Sequence, residues 1–237
     1  ARRQEQQQQH QLAYLKPVQP GGKEGGLGVS AIVVDQLRQE LRRMLGMARE
    51  NVSDSFQAVL DRDEGQLAQV EKREEYVDFL NREISRYVSH LIAIETNEQG
   101  SAVVSSMFTI SGNVERISDH ADNLAGYTRM LVAKGTAFSA LAQEEVRQMR
   151  DISLEAVTAL LDERAGDPDW LAGVARLEQK IDDMTDAFRR NQLGRMRDGI
   201  CSDEACILYS ELLTDFERIG DHALNIAQEL TKVHTAL

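Results

Sequence analysis

The sequence predicts an all-α protein of six long helices, arranged as two copies of a three-helix unit. Three observations carry that prediction: there is no proline between Pro20 and Pro168, apolar residues recur at alternating spacings of three and four, and one motif occurs twice. Proline removes a backbone donor and clashes with the preceding helical turn, so a long proline-free stretch suits helices. The spacing marks one buried stripe along a helix. Repetition at a fixed offset marks duplicated units.

Residues 1–29 stand apart. They hold Gln6–Gln9, Pro17, Pro20 and five glycines between Gly21 and Gly28, with too little apolar surface to offset ordering, and read as a flexible linker. Beyond them Gly65, Gly100, Gly135, Gly166 and Gly199 fall at breaks in periodicity and divide the chain into segments of similar length. These read as six helices of roughly seven to nine turns with glycines near the junctions. Asp167-Pro168 supplies an N-cap acceptor and a proline at the first helical position, and Ser202-Asp203-Glu204 supplies a second helix start. In the third helix Val103, Met107, Ile110, Val114, Ile117, Ala121, Leu124 and Leu131 form the stripe, with a gap at Thr128. In the sixth, Leu212, Phe216, Ile219, Ala223, Ile226, Leu230 and Val233 do the same.

Glu115–Ala125 reads ERISDHADNLA and Glu217–Ala227 reads ERIGDHALNIA, eight identities in eleven positions at an offset of 102. Upstream, EEYVD at Glu74–Asp78 matches EQKID at Glu178–Asp182 at an offset of 104. The predicted repeats are residues 30–134 and 135–237.

Composition narrows the function. With 237 residues, 42% hydrophobic and 28% charged, the chain can bury a sizeable core. A net charge of -12 argues against a nucleic-acid partner, since neutralising phosphates needs a basic patch. Aromatics at 5% argue against base-stacking or sugar-binding platforms. The longest apolar candidates, Ala31–Val34 and Leu91–Ile94, are far short of a membrane span, and no signal-peptide pattern opens the chain. Cys201 and Cys206 match neither a CxxC redox motif nor a zinc knuckle, and two cysteines build no disulfide framework. They are expected as reduced thiols in the cytoplasm, with Cys201 a small buried residue. The first residue is Ala rather than Met, as expected of a fragment of a longer chain.

The repeats carry four Glu-x-x-x-Asp pairs: Glu74/Asp78, Glu115/Asp119, Glu178/Asp182 and Glu217/Asp221. Residues four apart on a helix diverge by only about 40°, so each pair points two carboxylates one way. The repulsion costs a few tenths of a kcal/mol per pair, and a multivalent cation removes it. One such pair is ordinary solvated surface; four at repeat-related positions point to metal, held by oxygen donors suited to iron, zinc, manganese or magnesium. His120 and His222 lie about 100° from the preceding acid and are expected to make packing or inter-helix hydrogen bonds rather than ligate. Asn123 and Asn225, four beyond Asp119 and Asp221, are expected to extend the acidic face. Arg116 and Arg218 are expected as salt-bridge partners.

The duplicated ERIxDHAxNxA motif, with both Glu-x-x-x-Asp pairs of the preceding helices, resembles the signature of the PhoU family over about residues 30–237. The resemblance implies two pseudo-symmetric three-helix bundles, iron- or zinc-type clusters on their acidic faces and a regulatory role in phosphate uptake. Ser118 in place of the motif glycine departs from the pattern and is expected to loosen helix packing; Asp122 is an extra acid. More narrowly, Leu12–Met47 and Gly199–Ala223 are similar to the cytoplasmic PhoU region of bacterial sodium/phosphate cotransporters, which implies the soluble part of an inner-membrane protein. The partner implied is a membrane phosphate transporter, in cis or in trans; a homodimer is also compatible. Two other functions compete. A di-iron carboxylate enzyme needs Glu-x-x-His pairs, and the chain has none. A metal-free helical scaffold would tolerate loss of the acids.

Overall fold

The computed structural model describes residues 10–16, 31–94 and 97–237. Six helices follow: α1 Ala31–Asp61, α2 Leu67–Ile94, α3 Glu98–Lys134, α4 Ala140–Leu161, α5 Pro168–Arg197 and α6 Asp203–Ala236. Helices α1–α3 form one bundle and α4–α6 a second, as the duplication predicts. The bundles meet along α3 and α6, the most extensive helix pairing, with α1 also packed on α4. None of these helices is long and apolar enough to cross a membrane. The expected flexible linker, residues 1–29, lies outside the described residues except for 10–16. Those seven rest on the first bundle, with Leu15 buried.

The helix starts follow their local chemistry. Asp167 accepts from the Asp169 amide with Pro168 in the first turn, Ser202 accepts from the Ala205 amide, and Asn97 accepts from the Gln99 amide. At the end of α3, Gly135 sits at φ 59°, a left-handed position that favours glycine, and its amide reaches the last carbonyls.

Every residue of the α3 stripe is buried, and so is Thr128, whose hydroxyl donates back to the Leu124 carbonyl. The gap in the apolar pattern is therefore a satisfied polar residue rather than a break. The core runs without interruption through both bundles. Burial of each large aliphatic side chain contributes about 1.5–3 kcal/mol, so the α3–α6 seam fixes the relation between the halves.

Ser118 is fully buried and tightly seated, contrary to the expected loosening. Its counterpart Gly220 lies under Ile181, whose Cδ1 and Cγ2 would be 3.0 Å from an added Cβ. In the first bundle the matching residue is the smaller Val77, which leaves room for serine, and Asn51 Nδ2 donates to Ser118 Oγ at 3.1 Å.

The two cysteines are bonded to each other, correcting the expectation of free thiols. Ser202 is the N-cap of α6, so Cys201 precedes the cap and Cys206 is the fourth helical residue. Those two positions approach one another at helix starts, where apolar side chains often staple the entering chain. Here a disulfide takes that place.

Candidate functional site

On α2 and α3 the structure brings Glu74, Glu115 and Asp119 together; on α5 and α6 it brings Glu178, Asp182 and Asp221 together. Within each trio one carboxylate oxygen per residue lies within 4.8 Å of the others. The remaining two predicted acids stand at the edges of these groups. Asp78 binds Arg82 at 2.9 Å, and its charge still acts on Glu74 and Glu115. Glu217 feels the charges of Asp182 and Asp221. The helices place all eight residues on two matching faces, with six in close groups.

Crowding of half-buried carboxylates favours the protonated form. Burial, followed by the hydrogen bond and charge of Asp119, pushes Glu74 up to about 8. The same causes push Glu115 to about 7. In the second half, burial and then Asp182 raise Glu178 to about 7, while Glu217 and Asp221 are raised by burial and then by Asp182. Asp122 is also raised, by burial and the charge of Glu71. Arg116 and Arg218 act in the opposite direction on Glu115 and Asp221. A cluster whose burial, and then whose mutual repulsion, favours the protonated form has the donor chemistry of a cation site. Structural carboxylate networks shift in the same direction.

The histidines face away from the acids and into the seam, as their angular offset predicts. His120 Nδ1 lies 2.7 Å from Asp215 Oδ1, and His222 Nδ1 lies 3.0 Å from Asn113 Oδ1. The rings stack with centroids 5.4 Å apart. Asn123 Nδ2 donates to Asp215 Oδ1 and Asn225 Nδ2 to Asn113 Oδ1. The asparagines thus belong to the seam, correcting the expectation that they extend the acidic face; the drift of about 40° per four residues carries them across. Asn113 and Asp215 are themselves repeat-related, so each half grips the same position of the other. Tyr127 adds a third donor to Asp215, at 2.5 Å. Burial and the neighbouring charge of His120 lower His222 to about 4, which keeps it neutral in the seam. Asn113 and Asp215 escaped notice in the sequence because they lie outside the motif, two residues before it.

These features define a class: a duplicated helical bundle with one acidic cluster per repeat and a polar lock between repeats. The PhoU domain family matches residues 41–128 and 143–230, and the chain belongs to that family. It is 31% identical over 197 residues to the "Phosphate-specific transport system accessory protein PhoU homolog" of Caulobacter vibrioides, covering 81% of this chain and 84% of that one. It is 26% identical over 204 residues to the "Phosphate-specific transport system accessory protein PhoU homolog 1" of Thermotoga maritima, covering 84% and 86%. Among solved structures, PhoU from Pseudomonas aeruginosa superposes with a TM-score of 0.78 at 25% identity, over 86% of this chain and 98% of that one. The family is regulatory rather than catalytic. These relatives carry the name of transport accessory proteins, not of cotransporters.

Proposed function

We propose that this protein regulates phosphate uptake and does so with cations bound at its two acidic faces, while contacting a membrane phosphate transporter. Family membership supports the regulatory role in phosphate homeostasis. The observation that carries the cation reading is the pair of repeat-related trios, three carboxylate oxygens within 4.8 Å in each half. Glu74, Asp78, Glu115 and Asp119 would hold ions in one half, and Glu178, Asp182, Glu217 and Asp221 in the other. Four carboxylates supply up to eight oxygens, enough for more than one ion with bridging; iron or zinc comes first by donor type, then manganese or magnesium. The bound ions would replace the protons these glutamates retain and relieve the repulsion between α2 and α3, and between α5 and α6.

The narrower assignment, to the cytoplasmic part of a sodium/phosphate cotransporter, rests on the similarity of Leu12–Met47 and Gly199–Ala223 to that region. Its test is co-purification with a transporter, with and without phosphate. Isothermal titration of zinc into chelator-treated protein, in two buffers of different ionisation enthalpy, tests the cation reading. The expected result is tight binding with proton release, since the glutamates enter protonated. No binding at micromolar zinc would assign the acids to solvated surface, and binding without buffer dependence would show that the glutamates enter ionised.

A further inference from the structure

The first bundle carries something the second lacks: residues 10–16 lie across its α1–α2 face. Glu40 is the centre of the contact. Its Oε1 accepts the Tyr14 amide at 2.5 Å and the Leu15 amide at 3.2 Å, while Oε2 accepts from Arg43. Arg43 Nη2 and the Tyr76 hydroxyl both donate to the Gln11 carbonyl, at 2.7 and 2.9 Å. The His10 ring packs on Tyr76 and Phe79, with centroids 4.6 and 5.6 Å away. Leu15 is only 4% exposed.

The second repeat serves as an internal control. A shift of 101 residues lays the buried positions of α1 on those of α4, with Leu41 on Ala142, Met44 on Glu145, Val52 on Ser153 and Val59 on Leu160. The acid motif sets a shift of 104 between α2 and α5. Glu40 then corresponds to Leu141, Arg43 to Glu144, Tyr76 to Lys180 and Phe79 to Asp183. All four counterparts are exposed. Leu141 is 71% exposed where Glu40 is 0%. This helix position faces outward in the fold, and Glu40 is buried because the segment covers it. An acceptor for two successive amides, two donors for one carbonyl and an aromatic platform form a reader of extended peptide backbone. None of that chemistry is needed to build the bundle, because the other bundle stands without it.

We propose that the α1–α2 face of the first repeat is a peptide-docking site, and that residues 10–16 of this chain are its ligand, attached as a releasable latch. Release is feasible because Glu40 keeps Arg43 one turn away, so detachment returns an outward-facing ion pair and two amides to water rather than stranding a charge in the core. The latch reads backbone through Glu40, Arg43 and Tyr76, and side chains through Leu15 and His10.

Hydrogen exchange on the full chain, read at single amides, tests this. In the wild type the Tyr14 and Leu15 amides should be protected at least about tenfold, yet exchange faster than the amides of Val157 and Leu212 in the second bundle. Glu40→Ala should abolish the protection at Tyr14 and Leu15 and leave those two distant amides unchanged. A synthetic peptide of residues 10–16, in millimolar excess over the wild-type chain, should speed exchange of the tethered copy by competing for the site. Three results would overturn the proposal: unprotected Tyr14 and Leu15 amides in the wild type, protection that survives Glu40→Ala, or no acceleration by the peptide. Should Glu40→Ala fail to fold, Tyr76→Phe removes only the hydroxyl that accepts from the Gln11 amide. Gln11 protection must then fall, and its persistence would count against the site.

Discussion

The two halves solve the same packing problem with opposite chemistry. In the second, Glu145, Arg195 and Tyr209 are buried together: Glu145 Oε1 accepts from Arg195 at 2.6 Å and from Tyr209 at 2.5 Å, and Asn191 donates to Oε2. At the repeat-related positions of the first half stand Met44, Leu91 and Met107, all buried. One fold position thus accepts either an apolar cluster or a fully bonded ionic one. What the position requires is filled volume, with any buried charge paired; the choice of residue is free within that limit. The acidic faces behave differently. Both halves keep Glu and Asp there, although crowding makes the charged forms unfavourable. The buried cluster varies between repeats and serves the fold, whereas the repeated but locally unfavourable acids are where cation binding is expected.

Breaking the ionic cluster gives the largest expected effect. Glu145→Ala leaves the Arg195 guanidinium buried without its carboxylate and should cost about 3–5 kcal/mol in chemical denaturation. Installing the first-half residues together, Glu145→Met with Arg195→Leu and Tyr209→Met, should be neutral or stabilise by up to about 4 kcal/mol. A triple variant as unstable as the single one would show that the halves are not interchangeable here.

Gly220→Ala comes next. Its Cβ would press on Ile181 and should destabilise by about 1–3 kcal/mol. Combining it with Ile181→Val copies the Val77 side of the first half and should recover part of the loss. An additive double-mutant cycle would disconnect the two residues.

A smaller effect is the pH dependence of the metal-free protein. Glu74, Glu115 and Glu178 have folded pKa values above the unfolded value of 4.5. Such groups contribute stability that is fully present below about 4.5 and lost as pH rises through about 7 to 8. The melting temperature in chelator should therefore rise as pH falls from 8.5 to about 5.5. Most of the change should disappear in a variant with all three replaced by glutamine. A melting temperature that climbs steadily with pH in that window would refute the assignment.

Much of this fold was legible because long helices write it locally. The α3 stripe, the Asp167 and Ser202 caps and the duplicated motif each specify structure within a few residues of themselves. The acidic faces were legible for the same reason, since a spacing of four fixes direction. What escaped the sequence is non-local or geometric. The Asp215 and Asn113 contacts join residues about a hundred apart, and nothing near either residue announces them. No motif marks Glu40 in the sequence, because the amides it holds belong to a segment without periodicity. Asn123 was misplaced by treating a spacing of four as one direction. The cysteine pair carried a usable signal, a cap residue following the first cysteine and the second at the fourth helical position, but it lies outside the usual motifs.

The central claim, that each repeat carries its own cation site, is tested most directly by elemental analysis of protein purified without chelator. Asp119→Asn and Asp221→Asn are compared singly and together with the wild type. Each single substitution should remove about half of the bound metal and the pair nearly all of it, with helicity by circular dichroism unchanged, because both residues lie off the buried stripes. Metal content unaffected by the double substitution, or absent from the wild type even after incubation with iron or zinc, would contradict the account.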